Sequence, residues 1–567
     1  MAPFPPSIIF LATCTVFCTL NAAGSSNEAN ALLKWKATLH SQTSNTHLPS
    51  WTHDLNLNFS SQKTVSPCNW YGVSCNENSS IIRLNLSSSC LNGTLHHFSF
   101  SSFPNLAYLD LTINNFSGII PSEISHLSKL VFLDLSSNQL TGIIPQEIGQ
   151  LRNLATLYLA QNQLNGLIPQ SICQMTFLSG LGLDKNRLHG LIPACLGQLS
   201  YLNNVYLNRN NISGSIPHEL GNLYHLEVLY INSNYVTGPI PETLVNLKNL
   251  IVLSLYENKL NGSIPREIGN MTSLKFIELQ QNHLSGPIPS SLGELKSLSV
   301  FGLHSNQLSG TIPQELGNLT SLSNMQLAGN QLKGSIPRSF GNLQNLEILF
   351  LTYNDLSGSI PHELVELNLV EIQITNNRFS GNLPGEICNG RKLEYLRVGN
   401  NILTGPIPKS LYNCSSLIRV RLDGNQITGD VSESFGVYPQ LNYINLNDNQ
   451  VYGEISESWS KCTNLATIQM GGNRIRGNIP PSLGNSIQLE TLNLSFNDLV
   501  GEIPKKFGRI TRMGKLFLNN NRLSGVVPQD LGSLVELSYL DLSMNKLKGS
   551  IFHRGVLTTL FPKLEQQ

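Results

Sequence analysis

The sequence predicts an α/β-type solenoid of about 20 stacked copies of a 24-residue unit. Three observations predict it. A phrase of the form L-x-x-L-x-L-x-x-N-x-L-x-G-x-I-P recurs along the chain, shown plainly by residues 250–262 (LIVLSLYENKLNG). Its glycine column is evenly spaced from Gly118 through Gly358, shortens by one residue to Gly381, then keeps step to Gly549, with a looser first copy at Gly93. Its asparagine column, from Asn114 to Asn545, is filled in 19 of 20 copies. A period of this size means stacked supersecondary units, none of which buries its apolar face alone.

Each part of the phrase has a physical task. L-x-L is a short strand, with Leu253 and Leu255 inward and Ser254 outward, because successive strand side chains face opposite sides. An inward Asn at the bend can satisfy backbone groups of neighbouring turns, each of which would cost roughly 1–3 kcal/mol if buried unpaired. The proline stands beyond the strand, where its missing N–H breaks no ladder. Stacked at ~4.8 Å, the strands would line a concave wall on the order of 95 Å long, suited to an extended ligand.

Residues 25–80 read as an amino-terminal cap over the first repeat. Helical spacing places Leu32, Trp35 and Leu39 on one side of a helix running from Glu28 to Leu39, and Cys68 and Cys75 close a short loop as a disulfide. Trp35 and Trp51 belong to the cap core. The solenoid occupies 81–552, and 553–567 is a non-repeat tail that reads as a truncated end. Cys388–Cys414 is a second expected disulfide and Cys173–Cys195 a weaker pairing, with Cys90 and Cys462 left single. Two copies, at Val431-Ser432 and Ile455-Ser456, lack Ile-Pro.

Residues 1–24 read as a secretory signal, with an apolar run from Ser7 to Leu20. Eleven N-x-S/T sequons agree with secretion; Asn58, Asn78, Asn92, Asn115, Asn211, Asn261, Asn270, Asn318 and Asn413 are the candidate glycosylation sites, while Asn85 and Asn493 fall within strands and are set aside. Lys plus Arg and Asp plus Glu both number 36, and charged residues make up only 13%. That balance argues against nucleic acid or an anionic membrane as the partner. No stretch after the signal is apolar enough to span a bilayer, so a membrane connection would need a segment beyond Gln567. No nucleophile–base pair or metal-ligand cluster stands out, and no cofactor is expected.

The phrase N-x-L-x-G-x-I-P, the cap ALLKWKATL…SPCNWYGVSC and the sequons resemble the plant-specific leucine-rich repeats, closest to the ectodomains of plant leucine-rich-repeat receptor-like kinases. The stretch SLIRVRLDGNQITGDVSESFGVYPQLNYINLNDN resembles the male-discoverer-interacting receptor-like kinase group, the receptors of serine-rich peptides. The resemblance implies a right-handed superhelix with its parallel strands on the concave face. It also implies a peptide-perceiving ectodomain at the cell surface or in the apoplast, serving development or immunity, with a co-receptor leucine-rich-repeat kinase as partner. A Gly-rich loop, H-R-D and D-F-G are missing, so this chain is not itself a kinase. A secreted inhibitor of a cell-wall hydrolase, or a soluble decoy, is the alternative.

Function should reside in the outward strand positions. Tyr158, Tyr206, Tyr230 and Tyr256 place aromatics there, with Asn232 as a polar ligand-binding candidate beside them; Glu278, Gln280, His304 and Gln326 follow, then Phe350 and Tyr353. Stacking between neighbouring strands is the other reading of these rings. Arg419 and Arg421 share one outward face, and Arg397 stands one copy before in the column of Arg421. The Arg-x-Arg pair resembles the one that peptide-hormone receptor kinases use to hold a terminal carboxylate; an internal pair with Asp423 is the alternative. Where the serine-rich-peptide receptors are expected to use Asp, Asn and two His, this chain has Asn232, Ser254, Gln280 and Gly302. That ligand therefore does not carry over.

Overall fold

A computed structural model describes residues 21–39, 48–52, 66–390 and 392–549. The expected signal up to residue 20, the sequon at Asn58 and the tail from 550 lie outside the described residues. The chain divides into two compact units, 1–250 and 251–567.

In the amino-terminal unit a helix, Asn21–Lys36, packs against the 3₁₀ turns Pro67–Asn69 and Phe100–Ser102. It stops three residues short of the expected Leu39, in a turn at 37–38. Trp35 and Trp51 are fully buried, and their indole N–H groups donate to the carbonyls of Thr94 (3.1 Å) and Tyr71 (2.9 Å). Glu28, 3% exposed, ties the helix to the first strand: its carboxylate accepts from Ser80 Oγ (2.7 Å) and Ile81 N (2.9 Å). Val73–Cys75, closed by Cys68–Cys75, runs antiparallel to Ile81–Asn85. From there the pairing is parallel, one short strand per copy, from Ile81–Asn85 to Val228–Tyr230. The carboxy-terminal unit repeats the pattern from Val252–Ser254 to Tyr539–Asp541.

Each copy has two further elements. After the asparagine comes a second short strand, such as Gln139–Ile143, which joins a lateral parallel sheet of its own. The phrase did not announce this sheet. Its signal is the glycine column, held at positive φ (Gly142 +76°, Gly310 +78°) where a side chain would be strained. On the far side stand short 3₁₀ turns, five residues long in most copies, such as Gln314–Asn318, begun by the proline. The five residues available between Ile-Pro and the next leucine fit only such a turn. The two consecutive copies in which Val431-Ser432 and Ile455-Ser456 replace Ile-Pro cap their turns by side chains instead. Asp430 accepts from Ser432 N (2.8 Å) at the short helix Val431–Ser434, and Ser456 Oγ accepts from Ser458 N (3.2 Å). The one-residue deletion before Gly381 is absorbed at Leu367, whose ψ is 154° where most equivalent turn ends have ψ near that of Leu343, 64°.

The leucine columns form a continuous core within each unit; Leu181 and Leu183 in the first, and Ile277 and Leu279 in the second, are all 0% exposed. The asparagines carry the turns. Asn282 Oδ1 accepts from Leu260 N (3.0 Å), while its Nδ2 donates to the carbonyls of Leu255 (3.0 Å), Leu279 (3.1 Å) and Gln280 (3.3 Å), tying one copy to the next. Cys388–Cys414 and Cys173–Cys195 also join adjacent copies, with Cα separations of 5.9 and 5.8 Å, and Cys90 and Cys462 are free. Of the sequon asparagines, Asn78, Asn211, Asn261, Asn270, Asn318 and Asn413 are exposed, and Asn92 and Asn115 half-buried.

Candidate functional site

The inner strands of each unit present three outward columns per copy. In the amino-terminal unit the strand Gly180–Gly182 has no side chain on that face. The ring of Tyr158 lies over it: a β-carbon on Gly182 would meet that ring at 2.8 Å, and one on Gly180 would meet its hydroxyl oxygen at 2.8 Å. Tyr206 and Tyr230, paired in register on adjacent strands, stack at 5.7 Å with 18° between their planes. Burial raises the hydroxyl pKa of Tyr158 and of Tyr206. Asn232 differs from expectation. It is 2% exposed, with its amide turned back toward Ser233 Oγ (3.4 Å), so it offers an incoming ligand almost no surface. Sequence reading passed over Tyr108 and Phe132, which stack at 4.2 Å with the Arg83 guanidinium 3.9 Å from the Tyr108 ring centroid.

In the carboxy-terminal unit the outward residues form a half-buried face. Tyr256, Glu278, Gln280, His304, Gln326 and Phe350 are all of intermediate exposure, while Tyr353 stands out at 66%. Glu278 accepts from the buried Ser254 Oγ at 2.7 Å, and Gln326 donates to Asn324 Oδ1 at 3.1 Å. Five buried polar atoms on this face have no hydrogen-bond partner in the protein: Gln280 Oε1, His304 Nδ1, Thr352 Oγ1, Arg397 Nε and Arg419 Nε. Burial also pulls the His304 pKa down, which keeps the ring neutral.

The three arginines fall into different environments. Arg421 is occupied: its Nε and Nη2 grip Asp423 at 3.0 and 2.9 Å, a bidentate pair on one strand edge. Arg397 leans on Glu371, with Nη2 to Oε1 at 3.4 Å, and burial lowers its pKa against that charge. Arg419 has no acidic partner among the described residues; its guanidinium sits 3.9 Å from the ring centroid of Tyr443, its register partner on the next strand. Of the two readings of the Arg-x-Arg pair, the internal pair with Asp423 is present at Arg421 and absent at Arg419, because Asp423, two residues along, reaches only Arg421. Glu371, Thr352 and Tyr443 were missed by sequence reading. Column arithmetic gives Glu371 and Tyr443, since both share Arg419's column. Among the described residues no group of three or more His, Cys, Asp or Glu is placed to hold a metal, and no helix is long and apolar enough to cross a membrane.

Family models match most of the chain: a leucine rich repeat N-terminal domain at 25–76, a leucine-rich repeat region at 84–232 and 194–309, and leucine rich repeats at 321–343, 345–367, 392–414 and 487–547. Over 122 residues, 22% of this chain, the sequence is 46% identical to MDIS1-interacting receptor like kinase 2 of Arabidopsis thaliana. Such matches span about a tenth of the curated relatives' own length, 9% and 11%. The Arabidopsis receptor kinase HAESA, solved with the peptide hormone IDA and the co-receptor SERK1, aligns over 93% of this chain and 87% of its own, at 35% identity and a TM-score of 0.83. The plant peptide hormone receptor RGFR1, solved with RGF2, aligns over 85% of this chain and 84% of its own, at 33% identity and a TM-score of 0.76.

Proposed function

The chain belongs to the leucine-rich-repeat family in the form taken by plant receptor ectodomains, and from that premise we propose that it is an extracellular, non-enzymatic binding module for an extended peptide. The peptide lies across the inner-strand face of the carboxy-terminal unit. One observation carries this reading: the unpartnered polar atoms of Gln280, His304, Thr352, Arg397 and Arg419 on one face. A buried polar atom without a partner costs about 1–3 kcal/mol. A peptide backbone supplies both donors and acceptors to a run of strands, and so can relieve several such atoms at once. HAESA and RGFR1 were each solved with a peptide hormone, which supports the ligand class. The SERK1 co-receptor in the HAESA complex supports a co-receptor as partner.

Arg419 is the group that meets a ligand carboxylate, since Arg421 is held by Asp423 and Arg397 by Glu371. The test is a screen of short synthetic peptides, each with a free-acid and an amidated end, against the purified chain and Arg419→Ala. Free-acid peptides should bind the parent and lose affinity on amidation, and the variant should not distinguish the two forms. Binding lost equally for both forms would remove the carboxylate role. No binding by any peptide, beside inhibition of pectin hydrolysis, would favour the hydrolase-inhibitor reading instead.

A further inference from the structure

Four aliphatic side chains form an exposed ladder on the lateral sheet of the amino-terminal unit. Ile119, Ile143, Leu167 and Leu191 each follow the glycine of one of four consecutive copies, and they are 58%, 59%, 59% and 66% exposed. Each lies against the glycine of the next copy. A β-carbon on Gly142 would come within 2.8 Å of Ile119 Cγ2, and one on Gly166 within 2.7 Å of Ile143 Cγ2; Gly190 meets Leu167 and Gly214 meets Leu191 in the same way. The glycines thus seat the rungs in a line, at the ~4.8 Å spacing of stacked strands. Leu167 and Leu191 also line a groove of ≈ 790 Å³ that extends to Pro193, Pro217 and Pro239.

The repeat itself does not require these residues. In the carboxy-terminal unit the same column holds Ser263, Pro287, Thr311, Ser335 and Ser359 in five consecutive copies, and an aliphatic side chain only at Val526. The rungs add nothing to the core, and they present to water the kind of contiguous apolar patch that marks an interaction site. Their neighbours are largely uncharged: Thr141, Gln146, Gln163, Asn165 and Gln170 flank the line. Sequons stand at Asn115 and Asn211, at either end, and none falls between them.

We propose that this ladder is a self-association surface, on which two copies of the chain pack rung against rung about a twofold axis between Ile143 and Leu167. Three features favour a second copy as the occupant. A surface with the same strand spacing matches the ladder at every rung, whereas a helix advances 5.4 Å per turn and drifts out of step. An antiparallel pairing sets Ile119 against the other copy's Leu191 and Ile143 against its Leu167, so each compact rung meets a longer one and the patch is complementary to itself. The flanks carry few charges, and the antiparallel pairing sets Arg187 against Asn115, so like-charge repulsion is small when the patch meets itself. The rungs expose a few hundred Å², the size at which patches on monomers carry function, and less than the ~800 Å² per partner of a standard stable interface. The dimer is therefore weak and concentration-dependent.

Sedimentation velocity of the full chain over a wide concentration range tests this, with far-UV circular dichroism melts to verify that each variant is folded. The parent should pass from monomer to dimer. Leu167→Arg, at an exposed position, should weaken association at least about tenfold. Ile143→Glu/Leu167→Arg should restore it, because the antiparallel register sets each new Glu opposite a new Arg. A parent that stays monomeric throughout, association indifferent to Leu167→Arg, or a double variant no better than the single one would each overturn the proposal.

Discussion

Asp423 holds Arg421 through two parallel hydrogen bonds, 3.0 and 2.9 Å long, between residues of one strand edge. The Asp423 side chain is 11% exposed and that of Arg421 31%. Removing the arginine strands a mostly buried carboxylate, while removing both partners does not. Arg421→Ala is expected to destabilise the carboxy-terminal unit by ~1–2 kcal/mol, and Arg421→Ala/Asp423→Ala to recover most of that. Arg419→Ala, which strands no charge, should leave stability nearly unchanged. Urea melts of the three variants check the ranking, and an Arg419 variant as unstable as the Arg421 one would contradict it.

The asparagine ladder makes a sharper claim about stability. Asn282→Ala removes one acceptor and one amide that together serve Leu260 N and the Leu255 carbonyl across the copy boundary and the Leu279 and Gln280 carbonyls of its own bend. A loss of about 2–4 kcal/mol is expected from stranding these groups. In a repeat array it should remain local. Hydrogen exchange should therefore rise around residues 255–260 and 279–282 and stay unchanged in the cap. Uniform exchange along the chain would mean that the copies do not unfold as neighbours.

Much of this was legible in the chain because the repeat turns three-dimensional neighbours into residues 24 apart. The leucine core, the asparagine bonds and the cap tryptophans follow from local pattern alone. Side-chain competition within a column does not. That Arg421 turns to Asp423 while Arg419 lies on Tyr443 depends on which of two nearby partners each guanidinium reaches, and spacing makes both equally available. Asn232 sits in an outward column yet is buried, since column membership fixes direction and not depth. The lateral sheet was missed because its evidence is a backbone angle, seen in sequence only as a glycine per copy.

Backbone strain gives a prediction of the opposite sign. The second residue after the last leucine of L-x-L adopts φ near +55° in most copies, and Asn, Asp, Ser or Gly fill many of these places, such as Asn376, Asp448, Ser305 and Gly329. Ile113, at φ +53° and 61% exposed, is the β-branched residue among them. The left-handed conformation costs an L-residue roughly 1–2 kcal/mol and favours Asn. Ile113→Asn should therefore stabilise the amino-terminal unit by about 1 kcal/mol, seen as a higher melting temperature. A lower melting temperature would show that the isoleucine makes a contact worth more than its strain.

Three carboxyl groups of the amino-terminal unit, those of Glu28, Asp134 and Asp184, have pKa values raised chiefly by burial. A folded pKa above the unfolded one means that the folded state binds the proton more tightly. The resulting stability is fully present below the unfolded value, near 4, and is lost as pH rises through the folded values. These groups therefore favour the folded unit in mild acid over neutral solution. The stability that these groups contribute should be greater at pH 4 than at pH 7, and Glu28→Gln and Asp134→Asn should each shift the difference in melting temperature between those two pH values against acid, because an amide carries no titrating proton. For Glu28 the effect belongs to the cap, since its carboxylate bridges Ser80 Oγ and Ile81 N. Hydrogen exchange in the helix Asn21–Lys36 should accordingly slow on acidification more than the intrinsic exchange rate accounts for. A pH response identical in the parent and both variants would assign it to other groups.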